Sequence, residues 1–211
     1  FKIPTTKDEK TAKGNVIHVY RPRFFSFSNF SIGSLKMRVV SEHNYQNSAL
    51  KVADQLCRTN NFDFVYGHFF LAGGLAAVRI GKKHQIPSYI AFGESSYKTQ
   101  VYDPYGEISK NDIEGLSGII SVSQKNTREL QEHSIFEGVP ILTAPNAVDL
   151  SLFHRMDKQE CRNRLNLPND KFIVGFVGGF CERKGDKRVL EAVNRLEGVV
   201  VAYAGRGDDK P

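Results

Sequence analysis

The chain has 211 residues, a formal net charge of +6, 40% hydrophobic residues and 25% charged residues, which is the composition of a globular protein with one large domain or parts of two. No apolar run approaches the roughly 18 residues that a membrane-spanning helix requires, and 3 separated cysteines without a Cys-x-x-Cys pair argue against a zinc site or a disulfide framework. The positive charge favours anionic partners, but the basic residues are distributed along the chain, so no nucleic-acid partner is expected.

The start of the chain is polar, and neither an initiator Met nor a charged-then-apolar leader opens it. We therefore expect a fragment whose true start lies upstream. The few cysteines favour a reducing compartment. The predicted location is the cytoplasm, with peripheral association with an acidic membrane on its cytoplasmic face as a further option.

Short apolar runs alternate with helical patterns along the chain. Strands are predicted at 16–20, 62–66, 88–92, 119–122, 139–144, 172–177 and 199–204. Helices are predicted at 49–57, 71–83, 124–133 and from Asp186 onward. Strict alternation of strand and helix is typical of parallel α/β architecture, and right-handed crossovers then give a Rossmann-like, doubly wound sheet.

Two stretches interrupt this alternation. Residues 93–106 are predicted to be a long loop, which contains Tyr97, Tyr102 and Tyr105. Residues 150–170 are polar and predict a domain junction. We expect one Rossmann-like domain at 1–154 and the truncated beginning of a second at 155–211.

The turn after the predicted strand 172–177 has the features of an anion-binding site. Gly178 and Gly179 allow a ligand to approach the backbone, and the helix that follows presents free N–H groups at its start. Arg183 and Lys184 stand at that helix start, where the dipole disfavours cations unless an anion binds there. A solvated basic loop is the alternative interpretation.

Other candidates follow other predicted strands, because ligands of open α/β sheets collect at the carboxyl ends of the strands. The candidate catalytic residues are His68 and Glu94, and the other cleft candidates are Asn146, Gly205 and Gly207. Structural roles for His68, for the two glycines and for the Asn146 turn remain open alternatives. The sequence contains no metal-binding His-Glu-x-x-His pattern, phosphate loop or dinucleotide fingerprint, so neither a metal nor a cofactor is predicted.

Several segments together resemble the family 4 retaining glycosyltransferases, which have the two-domain GT-B fold. They are "GHFFLAGGLAAVRIGKKHQIPSYIAFGES", "SVSQKNTREL", "APNAVDLSLF" and "VGGFCERKGDKRVLEAVNRL". The resemblance covers residues 63–208 in order. It differs from the family where Gly179 replaces an arginine, Gly93 replaces a histidine and Ala147 replaces a glycine.

The resemblance implies transfer of a sugar from a UDP- or GDP-linked donor to an acceptor hydroxyl with retention, in polysaccharide or glycan synthesis. Lys184 matches the lysine that holds the donor diphosphate, and Arg183 is our candidate for the missing second cation. Domain 1–154 would bind the glycan or lipid-linked acceptor, with Tyr97, Tyr102 and Tyr105 as candidates for stacking on its sugar rings. Domain 155–211 would begin the donor domain. The segments that such enzymes carry before residue 1 and after residue 211 include donor-binding glutamates, so the fragment alone is expected to be inactive.

Two rival interpretations stay open at this point. The first is a non-catalytic α/β module that binds a nucleotide or phosphate, including an inactive glycosyltransferase-like subunit, which the departures at Gly179 and Gly93 allow. The second is a sugar-nucleotide epimerase of the same architecture, which the "APNAVDLSLF" segment fits poorly.

Overall fold

The computed structural model describes residues 5–27 and 30–207. The chain divides into two compact units between Ala147 and Val148, seven residues before the predicted boundary. The units are called unit 1 and unit 2 below, and each is described by itself. The assignment of acceptor and donor roles to them stays a prediction.

Unit 1 contains four short strands before its central sheet. The strands of unit 1 are β1 (Thr6–Lys10), β2 (Val16–Tyr20), β3 (Ser31–Ile32), β4 (Leu35–Lys36), β5 (Val65–His68), β6 (Ser88–Phe92), β7 (Leu116–Ser121) and β8 (Ile141–Thr143). Its α-helices are α1 (Met37–Leu56), α2 (Leu75–His84), α3 (Asp103–Tyr105) and α4 (Gln124–Glu132). Shorter helical turns lie at Phe69–Gly74, Lys98–Tyr102, Lys110–Ile113 and Ser134–Phe136.

The central sheet of unit 1 is parallel, with the order β5-β6-β7-β8. Its central strands are apolar and buried, as expected for a sheet covered on both faces. The fully buried core side chains include Phe70, Ile90, Phe92, Ile119 and Leu130. The predicted α/β class with parallel, Rossmann-like strands is confirmed.

The N-terminal strand differs from the predicted pattern. β2 lies where a strand is predicted, but it pairs with β1 in an antiparallel hairpin instead of joining the parallel sheet. β1 was not predicted, because its sequence Thr6–Lys10 consists of charged and polar residues. Both strands are largely exposed, so apolar periodicity could not reveal the pairing.

The prediction that 93–106 is a structureless loop is wrong. The segment contains a π-helical turn at Lys98–Tyr102 followed by α3. Tyr97 is buried against Phe70 and Phe136 in edge-to-face contacts, and burial raises the pKa of Tyr97 to about 12. Tyr97 therefore belongs to the core and is not available to stack on a sugar.

The predicted helix 71–83 begins later than its periodicity indicates. Residues Phe69–Gly74 form an irregular turn in which Phe69 and Ala72 have positive φ values of 65° and 56°. The regular helix α2 starts at Leu75 and ends at His84, and the capping residue Gln85 that follows is left-handed. Leu71 is buried although it lies outside the regular helix, which explains why it matched the apolar pattern.

Unit 2 pairs two parallel strands with two helices. Its elements are α5 (Lys158–Arg164), β9 (Phe172–Val177), a 3-10 turn (Glu182–Lys184), α6 (Asp186–Val193) and β10 (Val199–Ala204). The strand bounds of β9 and β10 are those predicted. α5 lies within the predicted polar junction, and Asp157 caps its start by accepting a hydrogen bond from the Glu160 N–H at 2.8 Å.

Candidate functional site

Two groups of candidate residues lie at strand ends, one in each unit. The first is the turn 178–186 of unit 2, which follows β9. Gly178 N–H donates to the Ala204 carbonyl at 3.0 Å, and Phe180 N–H donates to the Arg206 carbonyl at 2.9 Å. These two hydrogen bonds fix the start of the turn against the end of β10 and the residues that follow it.

The glycines after β10 are required by this close backbone approach. A Cβ at Gly205 would collide with the carbonyl oxygen of Gly178, and a Cβ at Gly207 would collide with that of Phe180. Gly179 is less constrained, since the nearest atom to its Cβ would be the Arg206 carbonyl oxygen at 3.7 Å. The packing role of Gly205 and Gly207 thus stands beside their predicted role in a cleft.

Arg183 and Lys184 lie side by side in the exposed 3-10 turn before α6. Gly185 then adopts a left-handed conformation with φ 79°, which reverses the chain into the helix. Among the residues that the structure describes, neither cation forms an ion pair. Two exposed positive charges are thereby placed within three residues of the start of α6.

The start of α6 has no side-chain cap. The first N–H groups of a helix have no acceptor within it, and they carry the positive end of the dipole. Together with the two exposed cations, this end of α6 can accept an anionic group such as a phosphate. That an anion binds at this turn, and which one, stays a prediction.

Asp186, the first residue of α6, was not predicted as a site residue. Its side chain is completely buried, and both carboxylate oxygens lack a hydrogen-bond partner among residues 5–27 and 30–207. Its backbone carbonyl accepts a hydrogen bond from the Tyr203 hydroxyl at 3.0 Å. An acidic residue in the first turn complements the helix dipole, but it also places negative charge near any bound anion.

The second candidate group lies in unit 1, at the carboxyl ends of β5 and β6. His68 is the last residue of β5 and pairs in register with Ala91 of β6. Glu94 lies two residues after the end of β6, so the two residues lie at the carboxyl ends of neighbouring strands. His68 is exposed, and its Nδ1 lies 3.3 Å from the Tyr66 hydroxyl. The structure thus brings the two candidate catalytic residues to the same edge of the sheet.

Glu94 stabilises the irregular turn that follows His68. Its Oε1 accepts a hydrogen bond from the Phe70 N–H, and its Oε2 is buried without a partner in the described part of the chain. Burial raises the pKa of Glu94, while the Phe70 N–H and the charge of His68 oppose that rise. Glu94 therefore has a structural role in the turn in addition to any role in chemistry.

The turn itself folds back closely on β5. A Cβ at Gly67 would lie 2.5 Å from the carbonyl oxygen of Gly73, which excludes any side chain at this position without a backbone shift. Gly93 faces the ring of Phe69, whose Cε1 would lie 3.4 Å from an added Cβ. The Phe69 ring thus occupies the space beside Gly93.

Two residues of helix α4 that the sequence did not predict as functional, Asn126 and Glu129, position the segment that carries Glu94. The buried Asn126 donates to the Glu94 carbonyl at 2.9 Å, and Glu129 Oε1 accepts from the Ser96 hydroxyl at 2.9 Å and the Tyr97 N–H at 2.7 Å. Asn126 and Glu129 are spaced i, i+3 on one face. The signal in the sequence is that Asn126, a polar residue, falls on the same helical face as the apolar Leu130.

Asn146, the last predicted cleft residue, lies in an exposed stretch of unit 1 without regular structure. Its side chain makes no hydrogen bond to another described residue. The side chain that forms a local turn in this region is that of Asp149, whose carboxylate accepts from the N–H and the hydroxyl of Ser151 at 2.9 Å and 2.6 Å. These bonds lower the pKa of Asp149.

A pH-dependent stability contribution is expected from Glu94. Because the pKa of Glu94 is raised in the folded protein, its protonated form contributes stability that is complete below the ordinary pKa and is lost as the pH rises through the folded pKa. The variant Glu94→Gln keeps an acceptor for the Phe70 N–H and should flatten this part of the pH profile. Urea unfolding at a series of pH values measures the difference.

The matched control for that series is Glu132→Gln, at the exposed end of α4. Burial also raises the pKa of Glu42, so a residual slope of the same sign should persist in the Glu94→Gln variant. A Glu94→Gln profile parallel to that of the unmodified protein would show that the Glu94 proton does not contribute.

No group of three or more His, Cys, Asp or Glu side chains within the described ranges is placed to hold a metal ion. None of the helices described here is long and apolar enough to cross a membrane.

Comparison with known proteins points to one class of enzyme. No protein-family model matches the chain. A protein named as a teichuronic acid biosynthesis glycosyltransferase, TuaC of Bacillus subtilis, is 28% identical over 141 residues, which cover 64% of this chain and 35% of the relative. The D-inositol 3-phosphate glycosyltransferase 1 of Catenulispora acidiphila is 25% identical over 170 residues, covering 72% of this chain and 40% of the relative.

A third relative, named as the colanic acid biosynthesis glycosyl transferase WcaI of Escherichia coli, is 31% identical over 104 residues, covering 44% of this chain and 26% of the relative. The chain thus spans less than half the length of these curated relatives. Two solved structures, of S. aureus MnaA with UDP and of Anabaena HepE with UDP-glucose, align with TM-scores of 0.49 and 0.46 at 10% and 18% identity. They cover 76% and 85% of this chain and 46% of each structure. These two structural similarities are too weak to support any conclusion about the chain. The curated homologues, by contrast, are all named as glycosyltransferases.

Proposed function

We propose that the protein containing this chain transfers a sugar from a nucleotide-diphosphate-sugar to an acceptor hydroxyl with retention of configuration. The observation that carries the proposal is the turn of unit 2, where Arg183 and Lys184 are exposed beside the uncapped start of α6. The names of the homologues support a role in the synthesis of a glycan or of a lipid-linked or inositol-based saccharide. The two units, each with parallel strands, would belong to the two domains of a GT-B enzyme.

The chemistry requires stabilisation of a leaving group. As the bond between the sugar and the diphosphate breaks, negative charge grows on the phosphate oxygens. Lys184, assisted by Arg183 and by the N–H groups at the start of α6, would stabilise that charge. A cationic cradle of this kind performs electrostatically what a divalent metal does in other enzymes.

In unit 1, we propose that Glu94 positions the turn that begins after His68. Its hydrogen bond to the Phe70 N–H fixes the conformation of Phe69 and Phe70, and the exposed His68 stays accessible to an acceptor or to the transferred sugar. His68 would contact the sugar hydroxyls by hydrogen bonding. The acceptor would then lie along the carboxyl ends of β5 and β6.

The second candidate function is a non-catalytic subunit that binds a nucleotide or phosphate. Gly179 and Gly93 favour it, because the arginine and the histidine that the resemblance implies at these positions are absent. Such a subunit would bind a nucleotide without turnover.

The test is a panel of UDP- and GDP-sugars incubated with the full-length protein and candidate acceptors, with products identified by mass and the anomeric configuration assigned by NMR. We expect one nucleotide-sugar to be consumed and the new linkage to keep the configuration of the donor. Saturable nucleotide binding without a product from any donor and acceptor would support the non-catalytic subunit. Absence of both binding and product would reject both functions.

A further inference from the structure

Residues 21–27 and 30–38, called the aromatic-basic segment below, form a surface that the proposed sugar transfer does not use. The first part of the segment has no regular secondary structure and lies along α1. Polar side chains on one face of α1, together with the N–H at the start of the helix, hold its backbone at residues 23, 25, 27 and 30. The bonds join the Ser48 hydroxyl to the Arg23 carbonyl at 3.1 Å, Asn44 Nδ2 to the Phe25 carbonyl at 2.8 Å, the Phe27 N–H to Ser41 Oγ at 2.8 Å, and the Met37 N–H to the Phe30 carbonyl at 3.0 Å.

The segment exposes six large apolar side chains. Their relative exposures run from 40% to 83%, and the residues are Phe24, Phe25, Phe27, Phe30, Ile32 and Leu35. Phe24 contacts the ring of Tyr45 on α1 edge-to-face, with centroids 5.3 Å apart, whereas Phe25 is 83% exposed. Because the backbone groups of the segment are bonded to α1, it cannot roll over to bury these rings without losing those hydrogen bonds.

The charge of the chain is concentrated in the same region. No acidic residue occurs between Glu9 and Glu42, and residues 10–41 contain six basic residues. The rest of the chain carries 23 basic and 23 acidic residues, so the entire net charge of +6 arises from this stretch. The basic residues are spread along the whole chain, but the acidic residues that would balance them are missing here.

Within the segment itself, Arg23 is exposed and forms no ion pair with a described residue. Arg21 forms an ion pair with Glu9 and Arg38 forms one with Glu42, each at 3.7 Å. Lys36 donates to the Asp103 carbonyl at 2.7 Å, which does not neutralise its charge. Arg23 and Lys36 therefore place positive charge without an ion pair to a described residue beside the exposed apolar side chains.

We propose that the aromatic-basic segment docks the protein onto an anionic lipid bilayer. Apolar side chains that enter the boundary between headgroups and acyl chains, with Lys and Arg at the level of anionic headgroups, are the two components of peripheral membrane binding. Exposed large apolar side chains that lie close together in this way indicate an interaction site. The inference goes beyond the proposed sugar transfer and does not depend on it.

Single-stranded nucleic acid is the other polyanion to which basic and aromatic side chains bind, because bases stack on rings. The aliphatic side chains favour the bilayer. Ile32 and Leu35 are exposed in the β3–β4 hairpin, and they lack the flat π-face on which a base stacks. They can be buried in acyl chains as readily as phenylalanine.

The experiment is co-sedimentation of the full-length protein with vesicles of pure phosphatidylcholine and with vesicles of phosphatidylcholine and phosphatidylserine at roughly 7:3. We expect binding to the anionic vesicles to exceed binding to the neutral ones by about 10-fold or more. Raising the salt from about 0.1 M to about 1 M should reduce that difference, because it shortens the screening length.

Two variants separate the apolar contribution from the charge. Phe25→Ala combined with Phe27→Ala should weaken the partition coefficient by about 10-fold, and Arg23→Glu should weaken it by a similar factor on anionic vesicles only. The matched controls are Phe153→Ala and Arg128→Glu, at exposed positions outside the segment, which should bind as the unmodified protein does. Circular dichroism and thermal unfolding verify that each variant is folded.

A Phe25→Trp variant gives a direct readout of insertion. Its emission, after subtraction of the unmodified protein, should shift to shorter wavelength when anionic vesicles are added. Equal binding to both kinds of vesicle, or no binding, would overturn the proposal. A loss of vesicle binding in Arg23→Glu without any loss in the Phe25→Ala, Phe27→Ala protein would also overturn it. Binding of single-stranded RNA is measured for the same variants, and if Arg23→Glu weakened RNA binding in that case, the surface would be assigned to nucleic acid instead.

Discussion

Replacing Lys184 by alanine in the full-length protein is expected to lower kcat about 100-fold or more, with a smaller change in KM for the donor. The reason is that the leaving diphosphate gains charge in the transition state, so a cation beside it stabilises the transition state more than the bound donor. Lys184 is exposed and precedes the helix start, so its truncation should leave the fold intact. Steady-state kinetics with the donor found in the nucleotide-sugar panel measures the effect.

The matched control for Lys184 is Lys158→Ala, an exposed lysine at the first turn of α5 in the same unit. It should leave kcat unchanged. Arg183→Ala should produce a smaller loss than Lys184→Ala if Arg183 only supplements the clamp. Near-normal turnover of the Lys184→Ala protein would remove this lysine from the mechanism, and with it the principal support for the proposed cradle.

Gly205→Ala is expected to destabilise unit 2 by at least about 3 kcal/mol, which is at the severe end of single substitutions. The added methyl group would collide with the carbonyl oxygen of Gly178, and that obstacle is backbone that cannot rotate away. The hydrogen bonds from Gly178 to Ala204 and from Phe180 to Arg206 would have to be disrupted or stretched. Denaturant unfolding monitored by circular dichroism measures the loss.

The control for this substitution is Gly175→Ala in the middle of β9, where an added Cβ meets no atom within 4 Å. It should be tolerated, and alanine is the better strand residue by propensity. If Gly205→Ala and Gly175→Ala had equal stability, the close approach of the two turns would be refuted. A Gly205→Ala protein that stayed fully stable but lost nucleotide binding would instead support the predicted cleft role of Gly205.

The predictions that succeeded rest on local patterns. The bounds of β6, β9 and β10 agree with the predicted strands because each is a short apolar run whose ends are marked by a glycine or proline or by a polar residue. The start of α6 at Asp186 agrees because Gly185 must be left-handed to join the 3-10 turn to the helix. Arg183 and Lys184 were recognised because their position relative to a helix start is itself a local property.

The predictions that failed involve partners that are distant in the chain. Tyr97 was expected at a loop surface, but it contacts Phe70 and Phe136, which lie 27 and 39 residues away. Asn126 and Glu129 were missed because their partners belong to the segment that follows β6. The sequence of a helix does not predict which backbone groups of a distant segment its side chains will bind.

The order of the apolar, polar and basic residues was sufficient to predict the α/β class, the parallel strands and the basic turn before α6. Those properties depend on neighbours within a few residues, where propensity and periodicity act. Only the tertiary structure revealed that Glu94 binds the Phe70 N–H, that Gly205 is needed for the approach of two turns, and that Phe25 is exposed. Each of these depends on where the backbone of a remote segment lies, which is set by the packing of the whole unit and not by local sequence.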